Sequence, residues 1–297
     1  MASVLCLGMC ALDAIYRVES IPAMPTKILA SDYTESGGGM AASASVAVAR
    51  LGGKAAYWGR AGNDALGDRI VAELADEGVD VSDVRRIRGA VSPSAAILVA
   101  DNGERLVCAY NDPALDTDAS WLPLARVPQY DAVLVDVRWP AGSSDVLDAA
   151  RNAGRFAVLD ADIAAADVLA DLSQRATHTV YSEIGLAQAS GTADPGSGLR
   201  RVTAAGRFVG VTLGAAGFLW LDGASERREP APAIRALDTL AAGDVWHGAF
   251  TLALAEDRDI AGAARFANVA AAIKCTRFGG RRGCPSRREV DQALRAY

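Results

Sequence analysis

The segment Asp238-Thr239-Leu240-Ala241-Ala242-Gly243-Asp244 runs straight into VWHGAFTLALAE, so a turn of small residues opens into an apolar helix. The first amides of a helix have no partners within it and point outward as donors. The helix dipole adds positive potential there, which makes the Ala242-Gly243 start a candidate anion site and puts Asp244 in the first turn. A plain cap on a buried helix would use the same residues. A second stretch, Thr212-Leu213-Gly214-Ala215-Ala216-Gly217, follows a buried strand and could lie along a nucleotide or form a Gly-rich hairpin. Gly37-Gly38-Gly39 would let a ligand approach the backbone. Asp13 falls just past the first strand, at the carboxyl edge where open α/β sheets bind ligands.

Composition bounds what these residues can do. The chain has 297 residues, 36 acidic and 30 basic side chains, and a net charge of -6. With 51% hydrophobic and 22% charged residues it has a globular balance, suited to one large α/β domain or two modest ones. Lys27, Lys54 and Lys274 are its lysines, and none precedes Ser or Thr, which excludes a Walker A loop. Two distant histidines, His178 and His247, argue against a His-rich metal site, and no metal-binding residue is assigned. A negative total without a basic run argues against a nucleic-acid partner. No stretch reaches the roughly 20 apolar residues of a membrane span. Met1 to Cys10 lacks the basic region of a targeting signal. Five cysteines without a CxxC pair read as reduced thiols of a cytoplasmic protein.

The surrounding elements follow from periodicity. Ser3–Gly8 reads as a buried strand, and the alternating stretches between Ile15 and Glu35 as two short strands around the IPAMP breaker. MAASASVAVARLGG reads as a tightly packed helix with a Gly stop, AAYWG as a strand, and DALGDRIVAELADEG as an amphipathic helix. Asp101-Asn102-Gly103 between Ala95–Ala100 and Arg105–Tyr110 is a hairpin signal. From Asp131, four near-continuous apolar runs separated by helical stretches predict a parallel sheet covered on both faces. After Asp244 the pattern is helical almost to the end. The fold expected is α/β, with a mostly parallel central sheet flanked by helices and a small β lid. The core takes residues 1–12, 37–88 and 113–297; the lid takes 13–36 and 89–112.

GGGMAASASVAVARLGG with GRAGNDALGDRIVAELADEGVDV behind it, and DTLAAGDVWHGAF further on, together resemble the ribokinase-like (PfkB) family of carbohydrate kinases over almost the whole chain. The second segment is similar to the family pattern D-T-x-G-A-G-D, with Ala241 where the first glycine stands. The resemblance implies a kinase using ATP and Mg²⁺. It makes Asp244 the base that deprotonates the sugar, and Ala242 and Gly243 the anion hole. It makes Asp13 the carboxylate that grips sugar hydroxyls, with Gly38 and Gly39 lining the sugar. Ser43 stands at the position of a family Asn. Thr212, Gly214 and Gly217 lie beside ATP, and Asn268 near the adenine. It also implies a homodimer formed through the lid. The family's N-x-x-E motif is absent, its place taken by Ser182-Glu183-Ile184-Gly185.

Asp136-Val137-Arg138-Trp139, the glycine triplet and KCTRFGGRRGCP resemble one branch, the 6-deoxy-6-sulfofructose kinases. That likeness implies phosphorylation of a primary hydroxyl of a sulfonated ketose to the 1-phosphate, with Lys27 and Arg138 holding the sulfonate. Asp32 stands where that branch usually has Asn. Alternatives are a kinase of fructose, a fructose phosphate, ribose, 2-keto-3-deoxygluconate or a nucleoside, and a non-catalytic sugar or nucleotide sensor. A dinucleotide-binding reading of Gly37–Ala42 fails because polar SDYTES, not a buried strand, precedes it.

Overall fold

The computed structural model describes residues 1–115, 117–204 and 206–296. The first half runs β1 (Ser3–Gly8), β2 (Ala11–Val18), β3 (Asp32–Gly38), α1 (Met40–Arg50), β4 (Lys54–Gly62), α2 (Ala65–Asp76), β5 (Val84–Ile87), β6 (Ser94–Ala100) and β7 (Arg105–Tyr110). Then come β8 (Ala132–Asp136), α3 (Pro140–Asn152), β9 (Phe156–Ala161), α4 (Ala166–Arg175), β10 (His178–Ser182), α5 (Glu183–Ser190), α6 (Pro195–Val202) and β11 (Phe208–Thr212). The last part is β12 (Phe218–Asp222), β13 (Ser225–Glu229), α7 (Ala242–Ala255), α8 (Ile260–Cys275) and α9 (Arg287–Ala296).

Nine strands form the large sheet in the order β13-β12-β11-β10-β9-β8-β1-β4-β5. It is parallel from β11 to β5 and antiparallel at the β11-β12-β13 end. Side chains alternate between its faces. Val4 and Cys6 of β1 join a core with Val46 of α1, Phe250 of α7 and Phe266 of α8. Leu5 and Leu7 face the other way, onto Leu147 of α3 and Leu169 of α4. Burial on both faces explains the continuous apolar runs of β8 to β11. The sequence reading missed β5, β12 and β13. VRRI and SERRE are short and charged, and each lies at a sheet edge where one side needs no apolar cover.

A second sheet has the order β3-β2-β6-β7. The β6–β7 hairpin forms where Asp101-Asn102-Gly103 placed it, with Gly103 at φ 84 supplying the left-handed turn residue. The two strands expected between Ile15 and Glu35 are shifted. They span Ala11–Val18 and Asp32–Gly38, paired antiparallel, and residues 19–31 between them, with Pro22 and Pro25, carry no regular structure. Asp13 therefore lies within β2 of the small sheet, not at the end of β1. Gly37 and Gly38 close β3, and Gly39 (φ 86) starts α1.

Helices α1 and α7 pack closely through Gly248, where a Cβ would stand 2.4 Å from the Ala44 carbonyl oxygen. No helix among the described residues is long and apolar enough to cross a membrane. The five cysteines are free thiols.

Candidate active site

The turn before α7 is the most tightly built part of the site. Ala241 is left-handed, at φ 61 and ψ 11. That conformation costs an alanine about 1 kcal/mol relative to glycine. The Ala242 amide is spent within the turn, donating to the Thr239 carbonyl at 3.2 Å, and Val245 N starts the helix by donating to Ala241 O at 3.0 Å. Among the described residues, the Gly243 and Asp244 amides at the start of α7, and the Ala241 amide before them, have no protein acceptor, so of the Ala242–Gly243 pair expected from sequence it is the Ala242 amide that is already used. A Cβ on Gly243 would meet nothing within 4 Å, so this helix end faces open space.

Asp244 is partly exposed. Its carboxyl is pushed up to about 8, by burial first and then by the charges of Asp160, Asp13 and Asp162, with His247 opposing. Beneath it, His247 Nδ1 lies 2.8 Å from Gly243 O and 3.4 Å from Asp160 Oδ2. Burial drives the imidazole down and the Asp160 carboxyl up, so both favour their neutral forms and no ion pair results.

The residues leading into the turn are fixed by Asp238, which is fully buried. Its Oδ1 accepts from Leu240 N at 2.8 Å, and its Oδ2 accepts from Gly279 N at 3.0 Å and Gly280 N at 2.9 Å. Lys274 Nζ, also fully buried, donates to Asp238 O at 2.8 Å and lies 3.3 Å from Oδ2. From the small sheet, Arg105 donates to the Thr239 hydroxyl at 2.8 Å, and that hydroxyl donates to Gly103 O at 3.0 Å. The tip of the β6–β7 hairpin thus rests on the turn.

On the small-sheet side, Asp13 is nearly buried, and burial lifts its carboxyl to about 6 against the pull of Arg281. Gly38 is required beside it, because a Cβ there would fall 2.1 Å from Asp13 Oδ2. Gly39 passes so close to Met9 that a Cβ would lie 2.5 Å from its carbonyl oxygen. Asp136, at the end of β8, accepts from Met9 N at 2.8 Å, Arg138 N at 2.8 Å and Ala41 N at 3.1 Å. This carboxylate occupies the N-terminal dipole of α1 and ties the ends of β1, β8 and α1 together. Ser43, in the first turns of α1, is fully buried with its hydroxyl unpartnered. It is not on a surface open to a ligand.

The remaining candidates divide. Arg138 stands at the end of β8, held by Asp162 at 3.2 Å and by the Ile163 carbonyl at 2.8 Å. With Arg60 and Asn111 it lines a small cleft beside Gly8, Met9 and Cys10. Lys27 is exposed on the irregular stretch between β2 and β3, without a hydrogen bond or ion pair among the described residues. It is not among the residues lining the Arg138 cleft. Thr212 ends β11, and Gly214 (φ 54) and Gly217 (φ 86) bound a single 3-10 turn into β12. Gly214 borders open space, whereas a Cβ on Gly217 would strike Glu229 O at 2.2 Å. The latter glycine serves the chain crossing, not a ligand. Asn268 is likewise consumed by the protein. Its Nδ2 donates to Glu229 O and Pro230 O at 3.0 Å, and its Oδ1 accepts from Trp246 Nε1 at 2.7 Å. Ser182 caps α5 by accepting from Gly185 N, and Glu183 is exposed beside it.

Asp136, Asp238 and Lys274 fall in motifs quoted from the sequence, but sequence reasoning gave no site role to them, to Asp160 or to His247, each joined to the site across distant segments. Arg281, within KCTRFGGRRGCP, was likewise given no role. This guanidinium is 3% exposed, its terminal nitrogens make no hydrogen bond, and Nη2 lies 3.6 Å from Glu73 Oε2. A Cβ on Gly37 would sit 1.7 Å from Nη2, so this glycine makes room for it.

A β lid-like sheet against a doubly covered, mostly parallel sheet, with a carboxylate and free amides at a helix start, describes a ribokinase-like phosphotransferase. The profile of the pfkB family of carbohydrate kinases matches residues 1–287. Ribokinase of Bacillus subtilis is 28% identical over 99% of this chain and 100% of its own length. A crystal structure from Agrobacterium tumefaciens, provisionally described as a ribokinase, is 39% identical, covers 99% of this chain and 98% of its own, and has a TM-score of 0.95. Arabidopsis thaliana ribokinase, solved with ribose and ATP, shares the fold at a TM-score of 0.84 and 23% identity, covering 99% and 98% of the two chains. The chain belongs to the pfkB family of carbohydrate kinases and is a sugar kinase.

Proposed function

We propose that the Ala241–Asp244 turn is the phosphoryl-transfer site of this kinase, and that the acceptor is a primary hydroxyl of a ketose. Asp244 takes the hydroxyl proton as the sugar oxygen bonds to the γ-phosphorus of ATP. The bond from that phosphorus to the bridging oxygen breaks, and ADP leaves. The observation that carries this reading is the partly buried Asp244 carboxylate beside two free amides, beyond a left-handed Ala241. Oriented amides stabilise charge on the transferring group without reorganising, and phosphoryl transfer needs mainly such positioning. Asp13 accepts from sugar hydroxyls, and Gly38 and Gly39 let the sugar lie against backbone. Thr212 and Gly214 flank the nucleotide. Mg²⁺ carried on the phosphates would offset the negative charge of Asp162 and of Asp244 once it ionises. The ATP reading is supported by the bound ATP of the Arabidopsis relative.

The small sheet, whose strands β2 and β3 run two residues past the lid bounds 13–36 while β6 and β7 fall within 89–112, closes over the sugar to exclude water, and the rest of the chain (1–12, 37–88 and 113–297 by those bounds) forms the core. Its exposed outer strand β7 is the surface for homodimerisation. We place the enzyme in the cytoplasm, in keeping with its free thiols.

For the sugar, the cleft lined by Arg60, Asn111 and Arg138 favours an anionic ketose, 6-deoxy-6-sulfofructose first. Arginine's planar fork of donors suits a sulfonate. Ribose is the second reading, favoured by the full-length likeness to ribokinases. A coupled assay of ADP release with 6-deoxy-6-sulfofructose, fructose, fructose phosphates, ribose and 2-keto-3-deoxygluconate tests this. Sulfofructose is expected to give the highest kcat/KM, and Arg138→Ala to raise KM for it more than for fructose. Preference for ribose, or equal effects of Arg138→Ala on both sugars, would remove the sulfonate role.

A further inference from the structure

The turn that aims the Gly243 and Asp244 amides holds Ala241 in a conformation alanine does not favour. Backbone outliers of this kind persist only where the surroundings over-determine them. Here the surroundings are named: Asp238 bonds to Leu240, Gly279 and Gly280, and the Leu237 and Asp238 amides both donate to Cys275 O at 2.8 and 3.2 Å. Behind all of these sits one ammonium. Lys274 Nζ is fully buried, 2.8 Å from Asp238 O and 3.3 Å from Asp238 Oδ2. Lys27 and Lys54 are both exposed, so this charge alone among the lysines has been taken out of water.

A buried ion pair is a poor stability device, since well-packed apolar side chains often stabilise as much or more. What an ammonium does that a Leu or Met cannot is hold a carbonyl and a carboxylate of the same residue at once. That fixes both the backbone and the side-chain direction of Asp238, three residues before Ala241. We infer that Lys274 is a positioning residue for phosphoryl transfer, its buried ammonium locking Asp238 so that the Ala241 turn presents the Gly243 and Asp244 amides in reactive geometry. The inference rests on the phosphoryl-transfer reading of that turn.

Lys274→Met keeps the length and loses the charge. It is expected to lower kcat on the order of 10²-fold, the scale of a misplacement of about 1 Å. KM for the sugar should change less than kcat, because neither Lys274 nor Asp238 hydrogen-bonds to Asp13 or Gly38. In Lys274→Ala, ethylammonium should restore kcat with saturation, whereas tetramethylammonium at equal ionic strength should not. Circular dichroism and melting confirm that the folded fraction is being assayed; should both variants fail to fold, Lys274→Gln, which retains a donor for Asp238 O, takes their place and is expected to lose kcat with KM kept. A folded variant with wild-type kcat overturns the inference, as does a loss in Lys274→Ala that no amine rescues. Asp244→Asn assayed in parallel separates the two claims. Near-normal turnover there defeats the phosphoryl-transfer reading itself; an inactive Asp244→Asn with a fully active Lys274→Met defeats only the role of Lys274.

Discussion

Asp244 joins the chemistry to the cost of building it. Its carboxyl is lifted to about 8, mainly by burial, so in the free enzyme this proposed base is largely protonated at neutral pH. The profile of kcat/KM, which reports the free enzyme, should rise with pH and reach half its plateau near 8. A flat profile between pH 6 and 9 would contradict this. The same shift has a stability consequence. A group whose folded pKa is raised above its unfolded value contributes stability at low pH, and loses it as pH rises through the folded pKa. For Asp244 the loss spans the interval from about 4, the unfolded carboxyl, up to about 8. Asp244→Asn should therefore melt higher than the native protein at pH 8 and show no such advantage at pH 4, as scanning calorimetry would reveal. Function here opposes stability.

Helices and strands were legible where one residue pattern served one face. The α1 and α7 segments, the hairpin at Gly103 and the apolar strands β8 to β11 could be read directly because their periods reflect burial. The brace could not, because Lys274 reaches back 36 residues to Asp238, and nothing local marks a lysine as buried. Lys27 shows the converse: the branch resemblance implies a sulfonate contact for it, and it lies on an exposed irregular stretch. Asn268 sits where a ligand contact was expected and instead holds the end of β13. The glycines give element-scale tests. Gly38→Ala would drive a methyl into Asp13 and should raise KM for the sugar at least several-fold with a smaller change in kcat. Gly248→Ala would push α7 from the Ala44 carbonyl and should destabilise by about 1–3 kcal/mol in urea unfolding. No loss of stability would mean the α1–α7 contact relaxes freely.

Across the whole molecule, the small sheet meets the turn before α7 through the Thr239 hydroxyl and through Leu240, which packs with Ile15, Ala95, Ile97 and Val99. Thr239 links Gly103 and Arg105 of the hairpin to the residues that precede Ala241. If the hairpin closes over a sugar as proposed, this contact would transmit the movement to the free amides and couple closure to chemistry. Thr239→Val keeps the shape and removes both bonds, and should change kcat and KM together in steady-state assays. An effect on KM alone would place the hairpin outside the catalytic step. The outer strand of the same sheet, with Leu106, Val107 and Tyr110 exposed, is the edge proposed for a second copy; light scattering is expected to give a dimer, and a monomer at micromolar concentration would contradict it.

The central claim is that Asp244 is the base at an amide-lined helix start. The most direct test is single-turnover phosphoryl transfer by Asp244→Asn, with sugar affinity measured separately by calorimetry. We expect unchanged sugar binding and a rate lowered by about 10²- to 10⁴-fold, the usual contribution of a positioned base. Turnover within a few-fold of the native enzyme would contradict it.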